Sequence, residues 1–282
     1  MMIEGHRLYI TLNVQVVLLN LLTSTKNLYD LISKSKNHVV IIDARSFSEY
    51  KSGHVPGAIN VDLFQLHWFD TSKRGINDFN RQTRILLSRI GIQRKSKVVF
   101  YDNISGISAA RGVWLLLYFS CKKVSMLDGG FEKWKREGYV IEVKSNQLGY
   151  SKFIGKTDST IIADANEVNK LIRTKNVIIL DVRTKEEYVG SEVRAARRGH
   201  IPSAVNMNWI RNVEKDVFKS KDKLSKVYSK IPKNARVITY CHGGYRAANT
   251  FVALKILGYR NVKMYLGSWG EWGNRPDLRV EV

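Results

Sequence analysis

Four short runs of consecutive apolar residues, rich in β-branched side chains, punctuate the chain: Val39–Ile42, Val98–Tyr101, Val177–Leu180 and Val237–Tyr240. None shows strict apolar–polar alternation, so each reads as a strand covered on both faces. Longer stretches with apolar residues at helical spacing, such as Ser108–Phe119 and Ala247–Leu257, predict amphipathic helices. Strands alternating with helices imply an α/β architecture, a mainly parallel sheet flanked by helices. In such sheets ligands gather beyond the carboxyl ends of the strands, where strand gives way to helix.

The pattern is written twice. Val39-Val-Ile-Ile-Asp43-Ala-Arg45 returns as Val177-Ile-Ile-Leu-Asp181-Val-Arg183, and Glu49-Tyr50 returns as Glu187-Tyr188. Gly53-His54-Val55-Pro56 returns as Gly199-His200-Ile201-Pro202 after extra residues that include Arg194, Arg197 and Arg198. Lys97–Asp102 aligns with Arg236–Cys241, and Asp128–Trp134 with Leu266–Trp272. Ordered matches of this kind indicate two copies of one domain. The expected organisation is an N-terminal extension over 1–22, a first domain over 23–145, a polar linker over 146–160 and a second domain over 161–282.

Composition narrows the field without choosing a function. Of 282 residues, 44% are hydrophobic and 25% charged, as in globular rather than disordered chains. Two cysteines, Cys121 and Cys241, exclude a disulfide-rich scaffold and a multi-cysteine metal centre, so the expectation is a cytoplasmic protein with no metal. The net charge of +21 admits nucleic acid, a membrane surface or small anions as partners. The seven lysines between Lys215 and Lys233 are interrupted by acids and accompanied by no nucleic-acid-binding signature, so they read as a solvated helix face. The apolar segment Leu8–Leu22 is too short, and too broken by Asn13, Gln15 and Asn20, to span a bilayer. Export through residues 1–22 is the lesser alternative to an extra strand or helix.

The candidate chemistry sits where the second copy's strand Val237–Tyr240 ends in Cys241-His242-Gly243-Gly244-Tyr245-Arg246. The two glycines permit a tight turn in which backbone N–H groups converge, and the helix that follows adds partial positive charge. Cysteines in such settings ionise in a range of about 3.5–7.5 and act as nucleophiles. Arg246 supplies a planar cation for an anionic substrate. A buried, inert thiol is the bland alternative.

These motifs resemble the rhodanese family: the paired Asp-x-Arg and Gly-His-x-Pro segments, the cysteine loop after a strand, and the closing Gly267-Ser-Trp-Gly-Glu-Trp-Gly-Asn-Arg-Pro276. The likeness to tandem-domain thiosulfate sulfurtransferases runs from about residue 23 to 282. It implies two rhodanese-like domains, the first catalytically silent because Asp102 stands where Cys241 stands in the second. It also implies transfer of a sulfane sulfur from thiosulfate, through a persulfide on Cys241, to cyanide or a thiol, with no cofactor. Phosphatase and arsenate-reductase relatives of the fold place five residues between Cys and Arg; here there are four, which favours sulfur transfer. Mercaptopyruvate-type enzymes resemble Cys-Gly-[Ser/Ala]-Gly-Val-Thr at this loop, so 3-mercaptopyruvate sulfurtransferase is the nearest rival. A persulfide carrier delivering sulfur to a protein partner is the other.

Within that resemblance Arg183 and Arg246 are expected to bind the anion, with His242, Gly243, Gly244 and Tyr245 lining the site. One of Arg194, Arg197 and Arg198 could also reach it. His54 and His200, repeated in both copies, are expected to be structural, as are Trp134, Trp272 and Cys121. Trp269 is expected to wall the active site or the domain interface.

Overall fold

A computed structural model describes residues 20–34, 39–147 and 149–282. The first domain runs β1 (Leu22–Thr23), α1 (Thr25–Ser33), β2 (Val39–Asp43), α2 (Phe47–Ser52), β3 (Ile59–Asn60), α3 (Lys73–Arg89), β4 (Lys97–Tyr101), α4 (Ile107–Tyr118), β5 (Val124–Leu127) and α5 (Gly130–Arg136). The second runs β6 (Ile162–Ala163), α6 (Ala165–Leu171), β7 (Val177–Asp181), α7 (Lys185–Val189), β8 (Val205–Asn206), β9 (Val213–Glu214), β10 (Val217–Phe218), α8 (Lys221–Val227), β11 (Arg236–Tyr240), α9 (Tyr245–Ile256), β12 (Val262–Tyr265) and α10 (Ser268–Trp272). Each domain holds a five-stranded parallel sheet, ordered β1-β5-β4-β2-β3 and β6-β12-β11-β7-β8.

The unbroken apolar runs are explained by layers on both faces. In the first sheet Ile41, Val99 and Leu127 pack outward against Leu28 of α1 and Phe131 and Trp134 of α5. Their neighbours Ile42, Val98, Phe100 and Met126 pack inward against α3 and α4. The second sheet repeats this, with α6 and α10 outside and α8 and α9 inside.

The two inner layers are one. A single apolar cluster runs from Trp114 and Leu116 of α4 to Phe251 and Leu254 of α9, and these two helices pack against each other. This changes the reading of α4, whose spacing predicts one apolar face: every residue from Ser108 to Tyr118 is buried. A helix covered by its own sheet on one side and by its counterpart on the other needs no polar face. Burial of each such large side chain stabilises by about 1.5–3 kcal/mol, so the domains cannot separate without exposing a major part of the core.

Other departures are local. Residues 8–19 of the apolar N-terminal segment lie outside the described residues, but Leu22 and Thr23 form an edge strand beside β5. The segment 146–160 is bound along the first domain: Ser151 donates to the Ser88 carbonyl, and Phe153 packs edge-on against Phe119. The lysine-rich region begins as an antiparallel hairpin, β9–β10, before the helix α8. Among the described residues no helix is long and apolar enough to cross a membrane.

Candidate active site

Helix capping already singles out one end of each sheet. α1, α2, α3, α6, α7 and α8 start on Ser, Thr or Asp caps whose side chains accept a backbone N–H. α4, α5, α9 and α10 start on glycine with no side-chain cap. These four follow β4, β5, β11 and β12, so helix N–H groups without intrahelical partners open at the carboxyl ends of the central strands.

In the second domain Cys241 occupies that position. It is 1% exposed, and the Gly244 N–H donates to its Sγ at 3.1 Å. Gly244 is left-handed at φ 88°, which turns its N–H back onto the sulfur. The loop is pinned from behind, because the Cys241 and His242 carbonyls accept the Trp269 and Gly270 N–H groups at 2.9 and 2.8 Å. Cys241 N–H donates to Ser268 Oγ.

Arg246 closes the loop through a two-armed pair with Glu187: Nη2 lies 2.9 Å from Oε1, and Nη1 contacts Oε2. Burial disfavours both charges, but each holds the other ionised; Arg246 is pushed up and Glu187 down. Arg194 approaches the same carboxylate at 3.8 Å. Of the three insertion arginines it alone joins the site, since Arg197 caps the carbonyls of Trp272, Gly273, Arg275 and Leu278 and Arg198 is exposed.

Burial, with Arg194 and Arg246 nearby, pushes His242 down to about 4, so at neutral pH it is an uncharged ring; its Nδ1 has no hydrogen-bond partner. Tyr245 donates its hydroxyl to the Leu63 carbonyl of the first domain. Gly243 lies under His67, whose Cδ2 would be 2.5 Å from an added Cβ. Phe64 stacks on Tyr245 at 4.5 Å and Phe69 meets His242 edge-on. The first domain therefore roofs the loop, a contribution that nothing in the repeat pattern signals because residues 63–72 have no matching motif. Glu187 was visible only as the repeated partner of Glu49; its Thr184-x-x-Glu spacing marks the capping box that fixes it.

Arg183, expected to bind the anion, is engaged within its own turn. Its guanidinium grips Asp181 with Nε and Nη2 at 2.6–3.1 Å, donates to the Gly199 carbonyl at 2.8 Å and stacks over Trp269. Arg45 does the same with Asp43 and the Gly53 carbonyl. The repeat records a shared strand-end clamp made by Nε and Nη2 of both arginines. His54 and His200 likewise stack on Tyr50 and Tyr188 and contact their carbonyls. Trp269 lies against Arg183 and its backbone N–H is on the Cys241 carbonyl. Trp134 and Trp272 are buried with their indole N–H groups on backbone carbonyls, and burial pushes the Cys121 thiol up to about 11.

The first domain shows what such a turn does with negative charge. Asp102 Oδ1 accepts the Gly106 N–H, and Oδ2 accepts those of Ser108 and Ala109, at 3.0–3.2 Å. The loop's anion hole is filled by its own side chain. A cleft of about 690 Å³ lies beside the second loop, between Phe69, Thr71, Gly270, Glu271 and Arg275, but Cys241 does not line it.

A duplicated parallel α/β domain with a cysteine-bearing turn in one copy defines the class. The chain belongs to the rhodanese family: the model of the rhodanese-like domain matches residues 24–137 and 164–275. It is 32% identical over 261 residues to a putative thiosulfate sulfurtransferase of Mycobacterium leprae, covering 88% of this chain and 93% of that one. It is 28% identical over 252 residues to thiosulfate sulfurtransferase of Pseudomonas aeruginosa, covering 86% and 91%. The crystal structure of the 3-mercaptopyruvate sulfurtransferase SseA from Escherichia coli superposes with a TM-score of 0.76 at 27% identity, covering 88% of this chain and 98% of that one. These relatives support a sulfurtransferase.

Proposed function

We propose that the protein moves a sulfane sulfur from thiosulfate to a small thiophilic acceptor, cyanide or a thiol, through Cys241. The observation that carries this reading is the four-residue loop itself, with the Gly244 N–H on Sγ and Arg246 fixed at its rim by Glu187. The thiolate attacks the outer sulfur of thiosulfate; a new S–S bond forms, the donor's S–S bond breaks, and sulfite departs with the electron pair. The persulfide anion then gives its outer sulfur to cyanide, forming thiocyanate and restoring the thiolate. This is covalent catalysis in two displacements, with ping-pong kinetics. Amides at the turn hold the persulfide charge as an oxyanion hole holds oxygen. The depth of Cys241 under Phe64, His67 and Phe69 favours a small donor and acceptor over transfer between proteins.

The test is intact-mass spectrometry after thiosulfate, with cyanide-dependent turnover of thiosulfate and of 3-mercaptopyruvate compared. Gain of one sulfur on Cys241, absent from Cys241→Ser, and preference for thiosulfate are expected. Arg246→Ala should lower kcat/KM for thiosulfate by about 10–100-fold, the worth of a charged hydrogen bond. Preference for mercaptopyruvate would transfer the assignment to the type of the Escherichia coli relative. Turnover of neither, with sulfur accepted from a persulfidated protein, would make the chain a carrier.

A further inference from the structure

Arg111 is the one cation of helix α4. It is 1% exposed, in a helix buried all round, and among the described residues no carboxylate pairs with it. Its guanidinium lies among Phe79, Trp114 and Tyr245, at 4.7–6.0 Å from the ring centroids. Nη1 reaches only Met264 Sδ, at 3.6 Å, and Nη2 has no hydrogen-bond partner. A buried charge left so poorly satisfied is expensive, and an apolar residue would be easier to accommodate here.

What the guanidinium does touch is the back of the cysteine loop. A Cβ on Gly244 would lie 2.8 Å from Nη1 and 3.4 Å from Cζ, so the cation presses on the residue whose N–H donates to Cys241 Sγ. Burial disfavours its charge; the groups beside it that could carry an opposing one are Tyr245, a phenol pushed up to about 12 and so neutral, and Cys241.

The internal symmetry supplies a control. Counted from the capping glycines Gly106 and Gly244, Arg111 of α4 corresponds to Asn249 of α9. Asn249 crosses the interface the other way and donates to the Ser105 and Gly106 carbonyls of the first domain's loop, at 3.0 and 3.1 Å. Each helix thus places one polar side chain under the other domain's loop. The loop that ends in a thiol receives a cation; the loop that already holds a carboxylate receives a neutral amide.

We propose that Arg111, supplied by the domain without a nucleophile, is a positioning residue that provides the buried counter-charge for the Cys241 thiolate and persulfide from beneath the loop. The proposal rests on the sulfur-transfer reading for its purpose but not for its test. Around Cys241 the other charged or titratable groups are Arg246 with Glu187, Arg194, the Arg183–Asp181 clamp, His242, Tyr245, and His67 and Asp62 of the first domain. Of the acids among them Glu187 and Asp181 are matched by arginines, and Asp62 faces Tyr245; Arg246 also bears on the sulfur from the rim, so Arg111 is the cation that acts from beneath.

The experiment is the pH profile of Cys241 alkylation by iodoacetamide, read by peptide mass spectrometry, in the wild-type protein and in Arg111→Met, Arg111→Gln and Arg111→Lys. Met and Gln should move the midpoint up by about one pH unit, slowing alkylation about tenfold below it, and Lys should restore most of the shift. Melting temperature is measured alongside. An unmoved profile in Met and Gln overturns the proposal, and so does a lowered melting temperature with an unmoved profile, which would make Arg111 structural. If Met does not fold, Gln and Lys decide. Failure of the wild-type protein to accept sulfur from thiosulfate, with the alkylation shift present, would sink the functional reading and leave this one standing.

Discussion

Replacing Asp102 by asparagine isolates one buried charge from the rest of the molecule. Burial raises the carboxyl from its ordinary 3.8 to about 6, even though three backbone N–H groups at the loop act to lower it. At about 1.36 kcal/mol per unit that displacement corresponds to ~3 kcal/mol. The sign follows from proton binding. Between pH 4 and 6 the folded state holds a proton that the unfolded chain has released, so the group's contribution falls as pH rises and is lowest above pH 6. Of the total, about 2 kcal/mol falls between pH 4.5 and 8. Urea unfolding of wild-type and Asp102→Asn proteins across that range gives the assay. The offset between them includes altered hydrogen bonding of the amide; the pH slope of their difference belongs to Asp102, because His242 and every other titrating group cancels. The wild type should lose about 2 kcal/mol relative to the variant as pH rises. A flat difference, or a wild type that gains on the variant, would mean that the N–H groups outweigh burial, and the reasoning fails.

The two loop glycines should separate cleanly. Gly244→Ala forces a left-handed alanine against the buried Arg111 and should cost at least about 1–2 kcal/mol and slow sulfur loading about tenfold or more. Gly243→Ala meets the exposed His67 ring, which can swing aside, and Phe69 at ordinary contact distance, and should stay within about 0.5 kcal/mol of wild type in urea unfolding. Arg183→Ala and Arg45→Ala should each destabilise by ~3–5 kcal/mol, because each leaves a fully buried aspartate unpaired. Folded Arg45→Ala should keep the wild-type KM for thiosulfate, which steady-state kinetics would reveal.

The sequence was most informative where a residue's role is local. The strand runs, the repeat and the turn bearing Cys241 are set by neighbours in the chain, and the parallel sheets follow from them. The clamp of Arg183 was not legible for a definable reason: an arginine two residues after a strand-end aspartate reads as available, whereas the bond to Asp181 is made within the same turn. His67, Phe69 and Arg111 were illegible because their partners lie across the domain interface. The run Ala109-Ala-Arg111-Gly-Val-Trp114 did carry one sign, a lone charge within an otherwise apolar stretch, but only the second covered face of α4 gives it meaning.

The contact between α4 and α9 has a consequence of a different kind. These are corresponding helices, so their packing has the form of an isologous dimer interface closed within one polypeptide. In a true homodimer each substitution appears in both halves, and the pair comes apart on dilution. Here the halves are inherited separately and held one to one at any concentration. One half can carry an aspartate at the turn where its counterpart carries a thiol, and the contact between the two loops becomes independent of how dilute the protein is. Duplication in tandem lets the two halves of a symmetric contact differ residue by residue.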